Sequence, residues 1–335
     1  MRVAVVNPPF AAPPGSPTRL ITVPPASYGG IQWFVAHLSK GLAELGHDVV
    51  VLGAPESPPR PGIEAAPAGE PEEIRAWVRD HEVDVVHDIS NDAAALREEP
   101  GPLPYLSTHH FTGRPRFARN PVFVSRAQRA AAGGGDAPVV RIPVDPDVHE
   151  LSEEKDDFAL FLGRVAPWKG AWEAADFCAR AGLPLVVAGP TWETDYAERI
   201  ERDFGDVVTF AGDVGGAERR SLLARARAVL VFSRSVPGPW GDVWCEPGAT
   251  VVGEAAVSGT PVVSSDNGCL PEIVPLVGTV LPEGAEPAQA EARDVVDSLP
   301  SPAAVREAAL AAWHYRTIAA RYVEVYERVA AGSSW

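Results

Sequence analysis

Short apolar runs without polar alternation recur along this chain, each followed by a turn-rich stretch and then a helical pattern. Residues 3–7 are the first such run, and a strand that hides both faces belongs in a parallel sheet. Residues 31–45 follow as a helix whose Phe34, Leu38, Leu42 and Leu45 form one stripe, stopped by Gly46. Residues 47–52 read as the second strand, 72–80 as an amphipathic helix, and 83–87, 104–108, 122–124 and 139–142 as further strands. The pattern restarts with a strand at 158–162 and continues with strands at 185–188, 207–211, 229–232 and 261–265, helices lying between them. Such alternation specifies doubly wound α/β units. The expected organisation is two Rossmann-like domains with parallel sheets, residues 1–146 and 158–312. A polar linker at 147–157 joins them, and a last helix, 313–335, crosses back to the first domain. Ligands of such units bind beyond the strand C-termini, here in the cleft between two facing halves.

A length of 335 residues suits two domains, and 46% apolar residues suffice for two cores. The net charge of −16 argues against a nucleic-acid partner. Cys178, Cys245 and Cys269 form no C-x-x-C pair and cannot all pair with one another, which points to a reducing compartment and away from a zinc site. The apolar run at 3–6 is too short for an export signal, and no run reaches membrane-spanning length. A cytoplasmic protein without stable membrane anchoring is expected.

The chemistry concentrates at Cys245-Glu246-Pro247-Gly248-Ala249-Thr250-Val251-Val252-Gly253-Glu254. The Pro-Gly turn puts Glu246 in a loop, while residues 249–257 read as a short apolar helix ended by Gly259. The free N–H groups at the helix start can take a phosphate, and each carboxylate can accept hydroxyl hydrogen bonds. A nucleotide sugar fits this stretch, although two ordinary solvated carboxylates fit it too. Gly29 and Gly30 open the first long helix, where a plain turn and a close approach to phosphate read alike. His87 and His110 fall at strand ends. Arg164 and Lys169 flank a turn after Gly163 and could neutralise a leaving diphosphate. Trp240 and Trp244 lie in a Trp- and Gly-rich loop, where they could stack on a sugar or plug a domain contact. Asp145-Pro146-Asp147 matches a D-x-D metal motif in form but reads as an ordinary turn beside the linker.

The ordered set resembles the retaining family 4 glycosyltransferases of the GT-B fold along almost the whole chain. It is carried by Tyr28-Gly29-Gly30, Thr108-His109-His110, Gly163-Arg164 with Lys169-Gly170, and Glu246…Glu254 running into Gly259-Thr260-Pro261-Val262-Val263. A narrower likeness, to glycosyltransferases of orthosomycin-type oligosaccharide antibiotic assembly, rests on Val23-Pro24-Pro25, Tyr28-Gly29-Gly30-Ile31-Gln32-Trp33, Gly238-Pro239-Trp240-Gly241 and Trp244-Cys245-Glu246-Pro247-Gly248-Ala249-Thr250. The resemblance implies that Gly163, Arg164 and Lys169 bind a donor diphosphate, and that Glu254 holds the ribose hydroxyls. Glu246 would contact the transferred sugar, and Thr250 and Val251 would offer backbone N–H groups. Gly29 and Gly30 would approach the phosphate, His110 would hydrogen-bond the sugar, and Trp240, Gly248 and Ala249 would line the sugar or acceptor. The narrower likeness implies UDP as the nucleotide and a small oligosaccharide or natural product as acceptor.

Two departures stand out. Gly248 and Ala249 occupy positions where the family usually has Phe and Gly, so the loop backbone would meet the donor differently. The family's Asn-Gly between the domains is replaced by Ile142-Pro143 running into Val144-Asp145. The implied reaction is a retaining hexosyl or pentosyl transfer, with no metal or other cofactor if Arg164, Lys169 and the helix start carry the charge. A nicotinamide dehydrogenase fits poorly, because Asn7-Pro8-Pro9 stands where G-x-G-x-x-G should follow the first strand. An epimerase- or synthase-like relative remains open. A periplasmic-type binding module would expect an export signal.

Overall fold

The computed structural model describes residues 1–13, 15–27, 29–91, 96, 103–112 and 119–335. The chain forms two units, Met1–Val144 with Trp313–Trp335, and Asp145–Ala312.

In the first unit, β1 (Arg2–Val6), α1 (Gly30–Glu44), β2 (Asp48–Leu52), β3 (Ile63–Ala65), α2 (Pro71–Asp80), β4 (Val85–Asp88), β5 (Tyr105–Thr108), β6 (Pro121–Val122) and α3 (Arg126–Ala131) follow one another. The six strands pair in parallel in the order β3-β2-β1-β4-β5-β6. Val3 to Val6 are fully buried, as a strand covered on both faces requires. The reversal of strand order between β1 and β4 marks where ligands approach a sheet of this kind.

In the second unit, β7 (Ala159–Leu162), α4 (Ala171–Ala181), β8 (Leu185–Ala188), α5 (Thr194–Phe204), β9 (Val208–Gly212), α6 (Gly216–Arg225), β10 (Ala228–Val231), α7 (Thr250–Val257), β11 (Val262–Ser265), α8 (Leu270–Ile273), β12 (Gly278–Leu281), α9 (Gln289–Asp297) and α10 (Pro302–Trp313) build a second parallel sheet. Its order is β12-β11-β10-β7-β8-β9, so the reversal falls between β7 and β10. α7 is apolar because Val252, Ala255, Ala256 and Val257 are fully buried.

The chain returns to the first unit as α11 (Tyr315–Ala330). Ile318, Ala319, Tyr322, Val325, Tyr326 and Val329 join Phe34, Leu38 and Leu42 of α1 in one core. Gly41 permits the close approach of these helices, since a Cβ there would lie 2.6 Å from that of Ala319.

Two expectations need correction. Residues 139–142 make only a bridge, Phe123 to Val139, because the flanking Pro138 and Pro143 cannot donate to a ladder. The last helix, Tyr315–Ala330, is separated from α10 where His314 bridges to Val144 and the Tyr315 N–H donates to the Val144 carbonyl at 3.0 Å. Residues 147–157 are not a free linker but part of the second unit. The Lys155 ammonium there meets Ala224 O at 2.6 Å, Ser258 O at 3.2 Å and Thr260 Oγ1 at 2.8 Å, at the ends of α6 and α7. Burial brings this amine down to about 8. Among the described residues no helix is long and apolar enough to cross a membrane.

Candidate functional site

Three adjacent strands of the second sheet, β7, β10 and β11, end on the same edge and each hands over to a loop bearing polar groups. After β7 comes Gly163, whose Cα faces open space: beyond its chain neighbours, an added Cβ would meet no atom of the described residues within 4 Å. Arg164 lies with its Cζ 3.7 Å from the centre of the Trp192 ring, and its buried Nε has no partner among the described residues. A single turn, Pro167–Lys169, then presents Lys169. Gly170 closes that turn at φ 75°, and an added Cβ would sit 1.9 Å from Phe232 O, so only glycine fits.

Glu246 reaches the same place from the loop after β10. It is 4% exposed. Its Oε2 accepts from Lys169 Nζ at 2.7 Å, Ser233 Oγ at 2.7 Å and Trp244 Nε1 at 3.1 Å. Burial pushes the carboxyl up, but the Lys169 charge and these hydrogen bonds outweigh it and hold it below the usual carboxylate range. The loop after β11 fixes the backbone: Glu246 N–H donates to Asn267 Oδ1 at 2.8 Å, and Cys269 N–H donates to Glu246 O at 2.8 Å. All three described side-chain donors therefore converge on one oxygen of Glu246.

Thr250 and Val251 open α7 behind Gly248 and Ala249, with no side chain capping the helix. The first N–H groups of a helix have no acceptor within it and carry partial positive charge. Glu254 follows within α7, 1% exposed. Arg219 of α6 donates to its Oε2 at 2.6 Å, while its Oε1 is buried without a partner among the described residues. Trp240 stands at the tip of a small hairpin held by Gly238 N–H to Asp242 O, and is 48% exposed. Trp244 is different: at 6% exposure it is packed inward under Lys169, whose Nζ lies 4.4 Å from its ring centre. It offers no free face to a sugar.

In the first unit, Gly30 begins α1 with Gly29 as its cap. Gly29 is hemmed in by Pro25 and Gln32, a Cβ there lying 2.9 Å from Pro25 Cβ. Tyr28, which precedes them in the motif, lies outside the described residues. His110 follows β5, packs edge-on against Phe34 at 4.7 Å, and has a buried Nε2 without a partner among the described residues. Its pKa is pushed down to about 3 by burial and then by His109, so the ring is neutral. His87 is not a strand-end residue. It lies inside β4, fully buried, with Nδ1 2.8 Å from Tyr326 OH and Nε2 2.9 Å from Thr108 Oγ1. Asp145 caps the turn Pro146–Val148 through the Asp147 N–H at 3.0 Å, and among the described residues no group of three or more His, Cys, Asp or Glu is placed to hold a metal.

The structure thus places Arg164, Lys169 and Glu246 on loops at one sheet edge of the second unit, and Thr250 and Glu254 on α7, which follows the Glu246 loop. Sequence reasoning missed Trp192, Arg219, Ser233 and Asn267, and left the role of Trp244 open. Asn267 had a signal, the Asp-Asn-Gly turn after the last apolar strand, whereas the others are single residues without a spacing to flag them.

The family model "Glycosyl transferases group 1" matches residues 147–301, and "Glycosyltransferase Family 4" matches residues 28–140. Among solved structures, AviGT4, a glycosyltransferase involved in avilamycin A biosynthesis, is 53% identical, with 100% of this chain and 99% of that one covered and a TM-score of 0.94. Sucrose-phosphate synthase from Thermosynechococcus elongatus is 17% identical over 99% of this chain and 100% of that one, TM-score 0.72. Anabaena HepE, solved with UDP and glucose, is 17% identical over 98% of this chain and 99% of that one, TM-score 0.69. The last two likenesses show the fold alone. No curated protein matches the chain in sequence. With a family model on each half and more than half of its residues shared with AviGT4 over the full length, the chain belongs to the family 4 glycosyltransferases of the GT-B fold.

Proposed function

We propose that this protein is a retaining glycosyltransferase that moves a sugar from UDP to an acceptor hydroxyl during assembly of an orthosomycin-type oligosaccharide antibiotic. The observation that carries the reading is the pair of buried carboxylates beside two cations. The described side-chain donors to Glu246 all meet Oε2, and Glu254 keeps a buried Oε1 that has no partner among the described residues. Each acid therefore retains an oxygen that can accept a hydroxyl. The pathway is supported by the avilamycin role of AviGT4, and the nucleotide by the UDP held in Anabaena HepE.

In this reading Arg164, Lys169 and the Thr250–Val251 N–H groups hold the diphosphate, with Gly163 giving room for its approach. Glu254 takes the ribose and Glu246 the transferred sugar. Gly29 and Gly30 offer their helix start to phosphate, and His110, neutral, uses Nε2 on the sugar. Trp240, Gly248 and Ala249 line the sugar or acceptor. The bond from the anomeric carbon to the diphosphate oxygen breaks, the acceptor oxygen bonds to the same face, and the acceptor proton passes to the leaving phosphate oxygen. The protein positions the reactants and stabilises charge on the leaving group, so neither a protein base nor a metal is required.

A panel of UDP-sugars tests this by UDP release, with and without oligosaccharide acceptors and with excess chelator. One donor should release UDP faster with acceptor present, chelator making no difference, and the product should keep the donor's anomeric configuration. Binding without acceptor-dependent release, or an inverted product, would overturn the reading.

A further inference from the structure

Glu254 is held by one arm only. Its partner, Arg219, is on α6, while Glu254 is the fifth residue of α7. The two side chains are 13% and 2% exposed, so the pair is largely removed from water. An arginine that only ties two helices together gains most from the bidentate geometry, two parallel N–H bonds to the two oxygens. Here one nitrogen, Nη2, meets one oxygen, Oε2, at 2.6 Å. The second oxygen, Oε1, is buried and has no partner among the described residues. A buried acceptor without a donor is costly to leave so, and it calls for a group that completes it.

We infer that Arg219 is a positioning residue for nucleoside recognition: by pinning Oε2 it fixes the plane of the Glu254 carboxylate and dedicates Oε1 to a ribose hydroxyl. The inference rests on the proposed UDP site and adds to it a residue outside the motifs that mark that site. Guanidinium suits the task because it stays charged at all working pH and holds its N–H groups in a rigid plane. With Oε2 occupied, the carboxylate cannot turn to an alternative partner, and the ribose is read by a fixed acceptor.

Calorimetry with UDP, 2′-deoxy-UDP and 3′-deoxy-UDP on the full-length protein tests this. In wild type at least one deoxy analogue should bind roughly tenfold more weakly than UDP, the loss expected for a hydrogen bond to a charged acceptor. In Arg219→Met that ratio should fall to within about threefold, as it should in Glu254→Gln. Each ratio compares ligands on one protein preparation, so a fraction of unfolded variant cancels. Should Arg219→Met not fold, Arg219→Lys is read the same way, with the ratio expected to drop at least about threefold because the shorter, unforked head cannot fix the carboxylate plane. A folded Arg219 variant that keeps the wild-type ratio overturns the inference while leaving the UDP site intact. Wild-type protein that binds all three nucleotides equally overturns the ribose assignment itself, a separate failure.

Discussion

The Lys169 ammonium lies 2.7 Å from Glu246 Oε2 and 4.4 Å from the centre of the Trp244 ring, so one cation serves both a buried carboxylate and an aromatic face. Removing it strands Glu246, 4% exposed, with only Ser233 and Trp244 among its described side-chain donors. Lys169→Met should therefore cost about 3 kcal/mol of stability, and Glu246→Gln added to it should recover most of that loss. Because the Glu246 carboxyl is held below 4.5 in the folded protein, its contribution is complete above that pH and is lost as the pH falls through the lower folded value. Urea unfolding of both variants decides it, and an unchanged midpoint in Lys169→Met would show that the pair contributes nothing.

A second pH effect begins at milder acidity. His87 is fully buried between Tyr326 and Thr108, and burial, with a smaller push from His110, brings its pKa from 6.5 to about 3. Between these values the unfolded chain binds a proton that the folded protein refuses. Stability should then fall as the pH drops below 6.5, by up to about 1.4 kcal/mol per pH unit for this group. His87→Gln should remove about one proton from that slope. Urea unfolding of both proteins at several pH values between 7 and 5 measures it, and equal slopes would contradict the assignment.

What could be read from the sequence follows from how local each signal is. The run Val3 to Val6 announces itself because a doubly covered strand has no polar residue to confuse it. β12 does not: Gly278–Leu281 is half-buried, carries Thr279, and begins with a glycine needed because a Cβ there would lie 1.8 Å from Val262 O. The break at His314 depends on Val144, far away in the chain, and no local pattern shows it. The same division runs through the site. Arg164, Lys169 and Glu246 stand on turns next to glycine or proline, and Glu254 in the short apolar helix that follows such a turn, features with a sequence signature. Their partners Arg219 and Trp192 arrive from other helices and loops, so only the fold reveals them.

Trp192 is 62% exposed, yet its ring lies 3.7 Å from the Arg164 guanidinium carbon. A stacking contact at such an exposed place contributes about 0.5–1 kcal/mol, mainly by keeping the guanidinium in one orientation. Trp192→Ala should weaken UDP binding about two- to fivefold and leave the melting temperature nearly unchanged. Calorimetry and a thermal melt together check this. Undiminished affinity would mean that Arg164 is held without the indole, or does not touch the phosphate.

Gly268 supports Glu246 from behind. Its φ is 56°, and an added Cβ would lie 2.3 Å from Glu246 O and 2.4 Å from Glu246 N. Gly268→Ala must displace that backbone as well as adopt a left-handed conformation, at a cost of about 2–3 kcal/mol. The expected outcome is lower stability together with lost turnover, because the carboxylate moves with its backbone. A folded Gly268→Ala protein with full activity would show that the position of Glu246 is not critical.

Trp244 separates orientation from charge. Its indole N–H donates to Glu246 Oε2 at 3.1 Å while its face carries Lys169. Trp244→Phe keeps an aromatic face under the ammonium and deletes the donor together with part of the indole's bulk. Glu246 then retains Lys169 and Ser233 on the same oxygen but loses the contact that restrains its swing. If Glu246 reads the transferred sugar, UDP affinity should stay within about twofold of wild type, while kcat/KM for the UDP-sugar that supports turnover should fall about tenfold, the scale of one hydrogen bond to a charged group. Loss confined to UDP affinity would place Glu246 on the nucleotide instead, and no loss in either would remove Trp244 from the site's support.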